Sequence, residues 1–122
     1  MKMVHTCVRV VNIDKSIKFY QDAFGFEVAR KLDFPEHSFS LIYLTLPGDD
    51  YELELTHNYG AEVYDIGNGY GHIAISVDDI KAQHAKHKEA GFNITEIKGL
   101  PGTDTFFYFV TDPDGYKIEV IR

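Results

Sequence analysis

Residues 4–10 read Val-His-Thr-Cys-Val-Arg-Val, and residues 71–77 read Gly-His-Ile-Ala-Ile-Ser-Val. Apart from Gly71, every second residue of both stretches is Val, Ile or Thr, which is typical of a β-strand with one buried face. A histidine stands second in each stretch, so His5 aligns with His72 at an offset of 67 residues. The same strand pattern with the same polar residue predicts an internal repeat.

Two further blocks extend this repeat. Residues 23–26 match residues 89–92 at an offset of 66, and residues 49–55 match residues 114–120 at an offset of 65. The last block aligns Glu54 with Glu119. We therefore predict a single domain over residues 1–122, made of two repeated modules at about 1–57 and 70–122 and connected through residues 56–70.

Each module is predicted to fold as a strand, a helix and three more strands, which makes the fold class α+β. In both helices an Asn or Asp can cap the start and a glycine ends the apolar helical spacing. The predicted elements of the first module are strand 3–11, a helix from Asn12 or Asp14 to Gly25, and strands 26–33, 39–46 and 51–57. Those of the second are strand 71–77, a helix from Asp78 or Asp79 to Gly91, and strands 92–98, 105–110 and 116–121.

Composition narrows the range of functions. The chain has 12 basic and 19 acidic residues, giving a net charge of −7, and no Lys/Arg cluster. An acidic chain of this kind is a poor binder of nucleic acid and of anionic membranes. No apolar run approaches the ~20 residues of a membrane helix, no secretory leader is recognisable, and Cys7 is the only cysteine. We expect a cytoplasmic protein.

The repeat places two histidines and two glutamates on equivalent strands. Alternation along each strand puts His5, Glu54, His72 and Glu119 on the sheet face opposite the one that the helices cover. A pseudo-twofold relation between the modules would bring all four towards one axis. Imidazole and carboxylate together suit a divalent ion such as Zn²⁺, Ni²⁺, Co²⁺, Fe²⁺ or Mn²⁺. A strand histidine is more often a hydrogen-bonded structural residue, but the pairing of His with His and Glu with Glu favours metal ligation.

The other candidates favour structural roles. His84 and His87 have a spacing that can bind metal on a helix, but they occupy the places of Ile17 and Tyr20 in the repeat, which predicts core or half-buried histidines. His37 is predicted to lie in a solvated turn. Cys7 has no activating neighbour in the sequence and is interpreted as a small side chain near the site.

The sequence as a whole resembles the glyoxalase I (lactoylglutathione lyase) family of the short bacterial type, within the vicinal oxygen chelate superfamily. The resemblance covers nearly the whole chain. The motifs that carry it are His5-Thr6-x-x-Arg9-Val10, Ser16-Ile17-x-Phe19-Tyr20, Leu53-Glu54-Leu55-Thr56-x-Asn58-x-Gly60, Tyr70-Gly71-His72-Ile73-Ala74 and Asp112-Pro113-Asp114-Gly115-Tyr116-Lys117-Ile118-Glu119. It implies a curved mixed sheet around a metal site.

Carried over residue by residue, the family's metal ligands fall on His5, Glu54, His72 and Glu119, the residues that the repeat selects. Its glutathione contacts fall on Arg9 and Asn58. The implied reaction isomerises the hemithioacetal of methylglyoxal and glutathione to S-D-lactoylglutathione through an enediolate. Glu119 is the expected base, with Glu54 as its counterpart for the opposite stereoisomer.

The resemblance also implies a cofactor and an assembly. We expect one divalent metal ion, Ni²⁺ or Co²⁺ rather than Zn²⁺, and a homodimer in which open sheet faces are closed by another sheet. The thiol is glutathione or another low-molecular-weight thiol, because Tyr59 and Pro101 differ from the family's usual residues. Whether one chain or two build the site stays open. The alternatives are an acyl-CoA epimerase and a non-catalytic binding protein of the same fold.

Overall fold

The computed structural model describes residues 1–122. Contacts between residues divide the chain into two compact units, Met1–Asp65 and Ile66–Arg122, which we call unit 1 and unit 2. Each unit holds one βαβββ module, so the predicted α+β fold class is confirmed. None of the helices has the length and apolarity needed to cross a lipid bilayer.

Unit 1 contains one helix and a four-stranded mixed sheet with the strand order β1-β4-β3-β2. Strand β1 runs parallel to β4, and the other neighbours are antiparallel. The elements are β1 His5–Arg9, α1 Ile13–Phe24, β2 Glu27–Phe34, β3 Phe39–Thr45 and β4 Glu52–Asn58, with a short 3₁₀ helix at Pro35–His37 between β2 and β3.

Helix α1 begins and ends where the sequence predicts. The side chain of Asn12 accepts a hydrogen bond from the backbone N–H of Lys15 at 3.0 Å, so Asn12 rather than Asp14 is the N-cap. Gly25 takes a left-handed conformation with φ 78° at the C-terminus, a conformation that costs glycine little. Helix α1 buries Phe19, Tyr20 and Ala23, while Leu53 and Leu55 of β4 are also buried in unit 1.

Unit 2 repeats this architecture with the strand order β5-β8-β7-β6. Strands β5 and β8 are parallel, as their counterparts β1 and β4 are. Asp79, not Asp78, caps the helix by accepting from the N–H of Ala82 at 3.0 Å. The elements are β5 Ile73–Ser76, α2 Ile80–Glu89, β6 Lys98–Gly99, β7 Phe106–Thr111 and β8 Lys117–Ile121.

The turn before β8 is held by one buried side chain. Asp112 is 5% exposed, and its Oδ1 accepts hydrogen bonds from the N–H groups of Asp114 and Tyr116, each at 2.9 Å. An aspartate that bonds to backbone two and four residues on stabilises a tight turn locally. The motif at 112–115 therefore forms a tight turn, and this turn leads into the strand that carries Glu119.

One predicted strand is wrong in length. The sequence predicts a strand over 92–98, but only Lys98–Gly99 forms one, together with an isolated bridge between Ile94 and Val110. At Thr95 the side-chain hydroxyl accepts the N–H of Phe109 at 2.9 Å, while the Thr95 carbonyl bonds to Nε2 of His84 at 2.9 Å. Because that carbonyl bonds to helix α2, it does not accept a backbone N–H of β7. The regular pattern of backbone hydrogen bonds between the two strands is therefore interrupted at Thr95.

Candidate metal centre

The first predicted pair of ligands lies side by side in unit 1. His5 opens β1 and Glu54 lies in the middle of β4, the strand paired with β1. Nε2 of His5 is 3.1 Å from Oε2 of Glu54. Glu54 is buried, with 8% of its surface exposed, whereas the His5 side chain remains partly open to solvent. A buried carboxylate beside an accessible imidazole is a suitable half of a metal site.

The second pair has the same geometry in unit 2. Nε2 of His72 is 3.2 Å from Oε2 of Glu119, on the parallel strand pair β5 and β8. His72 lies just before the first residue of β5, and its ring is partly exposed. The ring of Phe109 on β7 packs edge-on against it, with the ring centroids 5.4 Å apart. The repeat in the sequence is thus a repeat of side-chain geometry.

The distances within each pair fit a shared divalent ion. Two ligands at about 2.1 Å from a metal and at right angles to each other place their donor atoms about 3.0 Å apart. The observed separations of 3.1 and 3.2 Å are close to this value. Neutral imidazole and carboxylate are also the ligand types that Ni²⁺, Co²⁺ and Zn²⁺ accept. Each unit brings one histidine and one glutamate together, and no group of three or more His, Cys, Asp or Glu side chains is arranged to hold a metal ion.

Tyr43 adds an aromatic wall to the pair in unit 1. It lies on β3 directly opposite Glu54, and its ring packs edge-on against His5 at a centroid distance of 5.8 Å. The guanidinium of Arg30 lies over the same ring, 3.8 Å from its centroid. Burial is the largest cause of a raised pKa at the Tyr43 phenol, and the negative charge of Glu54 raises this pKa further.

The predicted glutathione contacts lie in unit 1. Arg9 is the last residue of β1, pairs in register with Thr56, and is exposed. Asn58 is the last residue of β4, two positions beyond Thr56 on the same face, and its side-chain amide donates to the phenol oxygen of Tyr64 at 3.3 Å. An exposed cation and a half-exposed amide near the ends of neighbouring strands can both meet a ligand from solvent.

Three further histidines and the cysteine lie where the sequence predicts. His87 is 2% exposed, and its Nδ1 bonds to the hydroxyl of Tyr108 at 2.8 Å, while His84 is half-buried. His37 is exposed in the 3₁₀ helix. Cys7 is a free thiol on β1, in register with Glu54.

Sequence reasoning missed Tyr43 as a neighbour of the site. The repeat holds the signal, because Tyr43 aligns with Phe109 at an offset of 66 and each stands opposite a predicted glutamate ligand. An aromatic residue opposite the predicted glutamate ligand in both modules indicates that this position forms a wall of the site.

Comparison with known proteins identifies the family of the chain. Residues 2–120 match the family described as the glyoxalase/bleomycin resistance protein/dioxygenase superfamily. The lactoylglutathione lyase of Neisseria meningitidis is 44% identical over 126 residues, which cover 100% of this chain and 91% of that protein.

Solved structures of glyoxalase I share the fold. The trypanothione-dependent glyoxalase I of Leishmania major superposes with a TM-score of 0.86 at 39% identity, covering 100% of this chain and 86% of that one. Glyoxalase I from Zea mays gives a TM-score of 0.90 at 39% identity and 98% coverage of this chain, which spans 44% of the maize chain's length. The chain therefore belongs to the glyoxalase I (lactoylglutathione lyase) family.

Proposed function

We propose that the protein is a lactoylglutathione lyase that isomerises the hemithioacetal of methylglyoxal and glutathione to S-D-lactoylglutathione through an enediolate. The single observation that carries this proposal is the pair of His–Glu contacts at equivalent places of the repeat, 3.1 Å apart in unit 1 and 3.2 Å in unit 2. Full-length relatives with this activity in their names, at 44% identity, support it.

The proposed centre binds one divalent ion through His5, Glu54, His72 and Glu119, with the whole of residues 1–122 acting as one domain. When bound, such an ion stabilises negative charge that develops on substrate oxygens, a contribution of several kcal/mol. The two imidazoles serve as permanent neutral ligands. The two carboxylates supply the negative charge that compensates the cation.

Glu119 is the proposed base. It removes the proton from the substrate carbon next to the carbonyl and returns it to the neighbouring carbon, which produces the isomerised thioester. A positioned carboxylate of this kind contributes about 10²–10⁴-fold to the rate. Glu54 is its counterpart for the opposite stereoisomer.

Arg9 and Asn58 are proposed to bind the thiol carrier. A guanidinium forms charge-assisted hydrogen bonds with carboxylates, and glutathione carries two carboxylates. The carboxamide of Asn58 both donates and accepts, which suits a peptide backbone. Glutathione is the proposed thiol, and a cytoplasmic location fits it, since the cytosol keeps glutathione reduced.

We also propose a homodimer. Strand β2 is the edge of the sheet in unit 1, and all eight of its residues are exposed. A long exposed edge with apolar side chains such as Val28 and Leu32 is normally covered in a soluble protein. Sedimentation equilibrium at assay concentration should therefore give about twice the 13.9 kDa chain mass. A single species at the chain mass would contradict the dimer.

Metal dependence is the direct test of the proposed function. The protein freed of metal with a chelator should be inactive on the hemithioacetal, and titration with Ni²⁺ or Co²⁺ should restore more activity than Zn²⁺. Zinc can bind without activating, because affinity follows the general order of divalent ions rather than the needs of the reaction. Binding is therefore measured separately by calorimetry.

Matched histidine variants complete this test. His5→Gln and His72→Gln should each weaken Ni²⁺ binding, whereas His37→Gln, which changes an exposed histidine in the 3₁₀ helix, should not. Full turnover by the metal-free protein would refute the proposed function. Full activity with Zn²⁺ and none with Ni²⁺ would refute only the proposed metal preference.

A further inference from the structure

An arginine of the edge strand reaches across the sheet of unit 1 towards the predicted ligand pair. Arg30 on β2 stands opposite Tyr43 on β3, and its guanidinium lies over the Tyr43 ring, 3.8 Å from the centroid. The Nη2 atom of Arg30 donates to Oε1 of Glu52 on β4 at 2.9 Å. Arg30 therefore passes over β3 and joins three neighbouring strands on the face that carries His5 and Glu54.

The Tyr43 ring contacts both this guanidinium and the imidazole of His5. The two rings meet edge-on, with their centroids 5.8 Å apart and an angle of 77° between their planes. Tyr43 is buried, whereas the His5 side chain is 38% exposed at the first residue of β1. A histidine ring rotates over a broad range of angles unless its neighbours hold it. Tyr43 is thus a buried surface against which the His5 ring is oriented.

Glu52 holds the guanidinium over the ring. An arginine can donate hydrogen bonds in the plane of its guanidinium while the face of that plane stacks on an aromatic ring. The Glu52 side chain is 18% exposed, so water competes little for its carboxylate. Glu52 also stands in register with His5 in the parallel pair of β1 and β4. The ion pair between Arg30 and Glu52 therefore ends beside the predicted ligand.

Unit 2 lacks this arrangement. The repeat aligns Arg30 with Glu96 and Glu52 with Lys117, so the two charges are exchanged between the modules. Glu96 and Lys117 are both exposed, and Nζ of Lys117 is 6.0 Å from the centroid of the Phe109 ring. The ligand histidine of unit 2 thus has an aromatic neighbour without a stacked guanidinium.

We propose that Arg30 is a positioning residue of the candidate metal centre, because it fixes the Tyr43 ring that orients the imidazole of His5. This inference rests on the proposed function. Glu52 contributes by holding the guanidinium in place. Partners that orient a metal-ligating histidine raise the affinity of the site, since the ring then loses less freedom when the ion binds.

Ni²⁺ affinity separates positioning from simple charge. Arg30 is a cation near the proposed ion, so Coulomb repulsion alone predicts tighter Ni²⁺ binding in Arg30→Gln. Positioning predicts the opposite, a loss of affinity of about tenfold. Calorimetry on the metal-freed full-length protein measures binding, and urea unfolding checks that the fold is kept.

Two further variants of strand β2 control this measurement. Lys31→Gln removes the same charge from the neighbouring residue, whose Nζ is 3.9 Å from Asp33, and should leave Ni²⁺ affinity unchanged. Arg30→Lys keeps the charge but loses the planar group that stacks on the ring. It should also weaken Ni²⁺ binding, and it takes the place of Arg30→Gln if that variant does not fold.

A double-mutant cycle tests whether Glu52 acts through Arg30. Glu52→Gln should weaken Ni²⁺ binding, and the addition of Arg30→Gln should weaken it no further, because both changes release the same ring. If the two residues acted only by their charges, the double variant would regain the parent's affinity, since it loses one cation and one anion.

The metal-free protein gives a readout that needs no ion. The ring current of Tyr43 shifts the NMR signals of the His5 ring protons, which are assigned by their loss in His5→Gln. Arg30→Gln should move these signals and leave those of His72 in place. Lys31→Gln should move neither set.

The outcomes separate this inference from the proposed function. Unchanged or tighter Ni²⁺ binding in Arg30→Gln would overturn it, as would a double variant with the parent's affinity or His5 signals that do not move. A parent that binds no Ni²⁺ would overturn both. A parent that binds Ni²⁺ without lyase activity would refute the proposed function alone, and the affinity measurements would still decide the role of Arg30.

Discussion

Units 1 and 2 have sheets of the same topology and the same pair of predicted site residues, but they differ in what surrounds this pair. Both have a parallel strand pair that presents one histidine and one glutamate about 3 Å apart. Helix α1 buries Phe19 and Tyr20, whereas helix α2 buries His87, which bonds to Tyr108. Both units keep the His–Glu pair, whereas the buried residues of their helices differ.

This comparison shows that a repeat can keep its His–Glu pair while the side chains around the pair change. Strand register sets the approach of His5 to Glu54 and of His72 to Glu119, and backbone pairing preserves it even when neighbouring side chains change. Neighbours such as Tyr43 and Phe109 are then free to differ. The two units thus present the same predicted ligand pair among different neighbours.

Replacing the glutamate of each unit in turn should show the largest functional difference between the units. Glu119→Gln keeps the size of the side chain but cannot accept a proton at neutral pH, so kcat should fall by a factor on the order of 10² or more at saturating metal. Glu54→Gln should lower kcat less and weaken metal binding more. The exposed Glu96→Gln is the control. If Glu119→Gln turns over at nearly the parent rate, Glu54 becomes the candidate base.

The residues predicted to bind the thiol should give a second functional difference between the units. Arg9→Ala should raise KM roughly 10–100-fold with little change in kcat, because it removes a charged hydrogen bond remote from the proton transfer. Ser76 holds the equivalent place in unit 2, and Ser76→Ala should leave both constants unchanged. Steady-state kinetics with varied hemithioacetal measure this. A fall in kcat at constant KM in Arg9→Ala would contradict a role in binding the thiol carrier.

Removing a hydrogen bond from the buried core of unit 2 should have the smallest effect, and this effect should be on stability alone. Tyr108→Phe removes the partner of a buried His87 nitrogen and should lower the free energy of unfolding by about 1–3 kcal/mol. Tyr59→Phe alters a residue that is 41% exposed, where water can replace the lost hydrogen bond, and should cost less. Urea unfolding of both variants measures the difference. Equal costs would show that the hydrogen bond between Tyr108 and His87 adds nothing to stability.

Much of the fold could be predicted because helix capping and strand alternation depend on residues that are close together in the sequence. Helix α1 begins after Asn12 and ends before Gly25, as the capping pattern predicts. The ends of most strands lie within two residues of the predicted ones. The interruption of the strand predicted over 92–98 could not be foreseen, because it depends on His84, which is on a helix and bonds to the carbonyl of Thr95. No local pattern records such a contact.

The sequence by itself determined the repeat, the class of fold and the four residues proposed as ligands, since alternation and helical spacing are properties of short stretches of chain. Only the tertiary structure decided what each carboxylate touches. Tyr43 stands opposite Glu54 because strands β3 and β4 pair in one register, and Arg30 reaches Tyr43 because β2 pairs with β3. Contacts between separate strands depend on register and packing, which exist only in the folded chain.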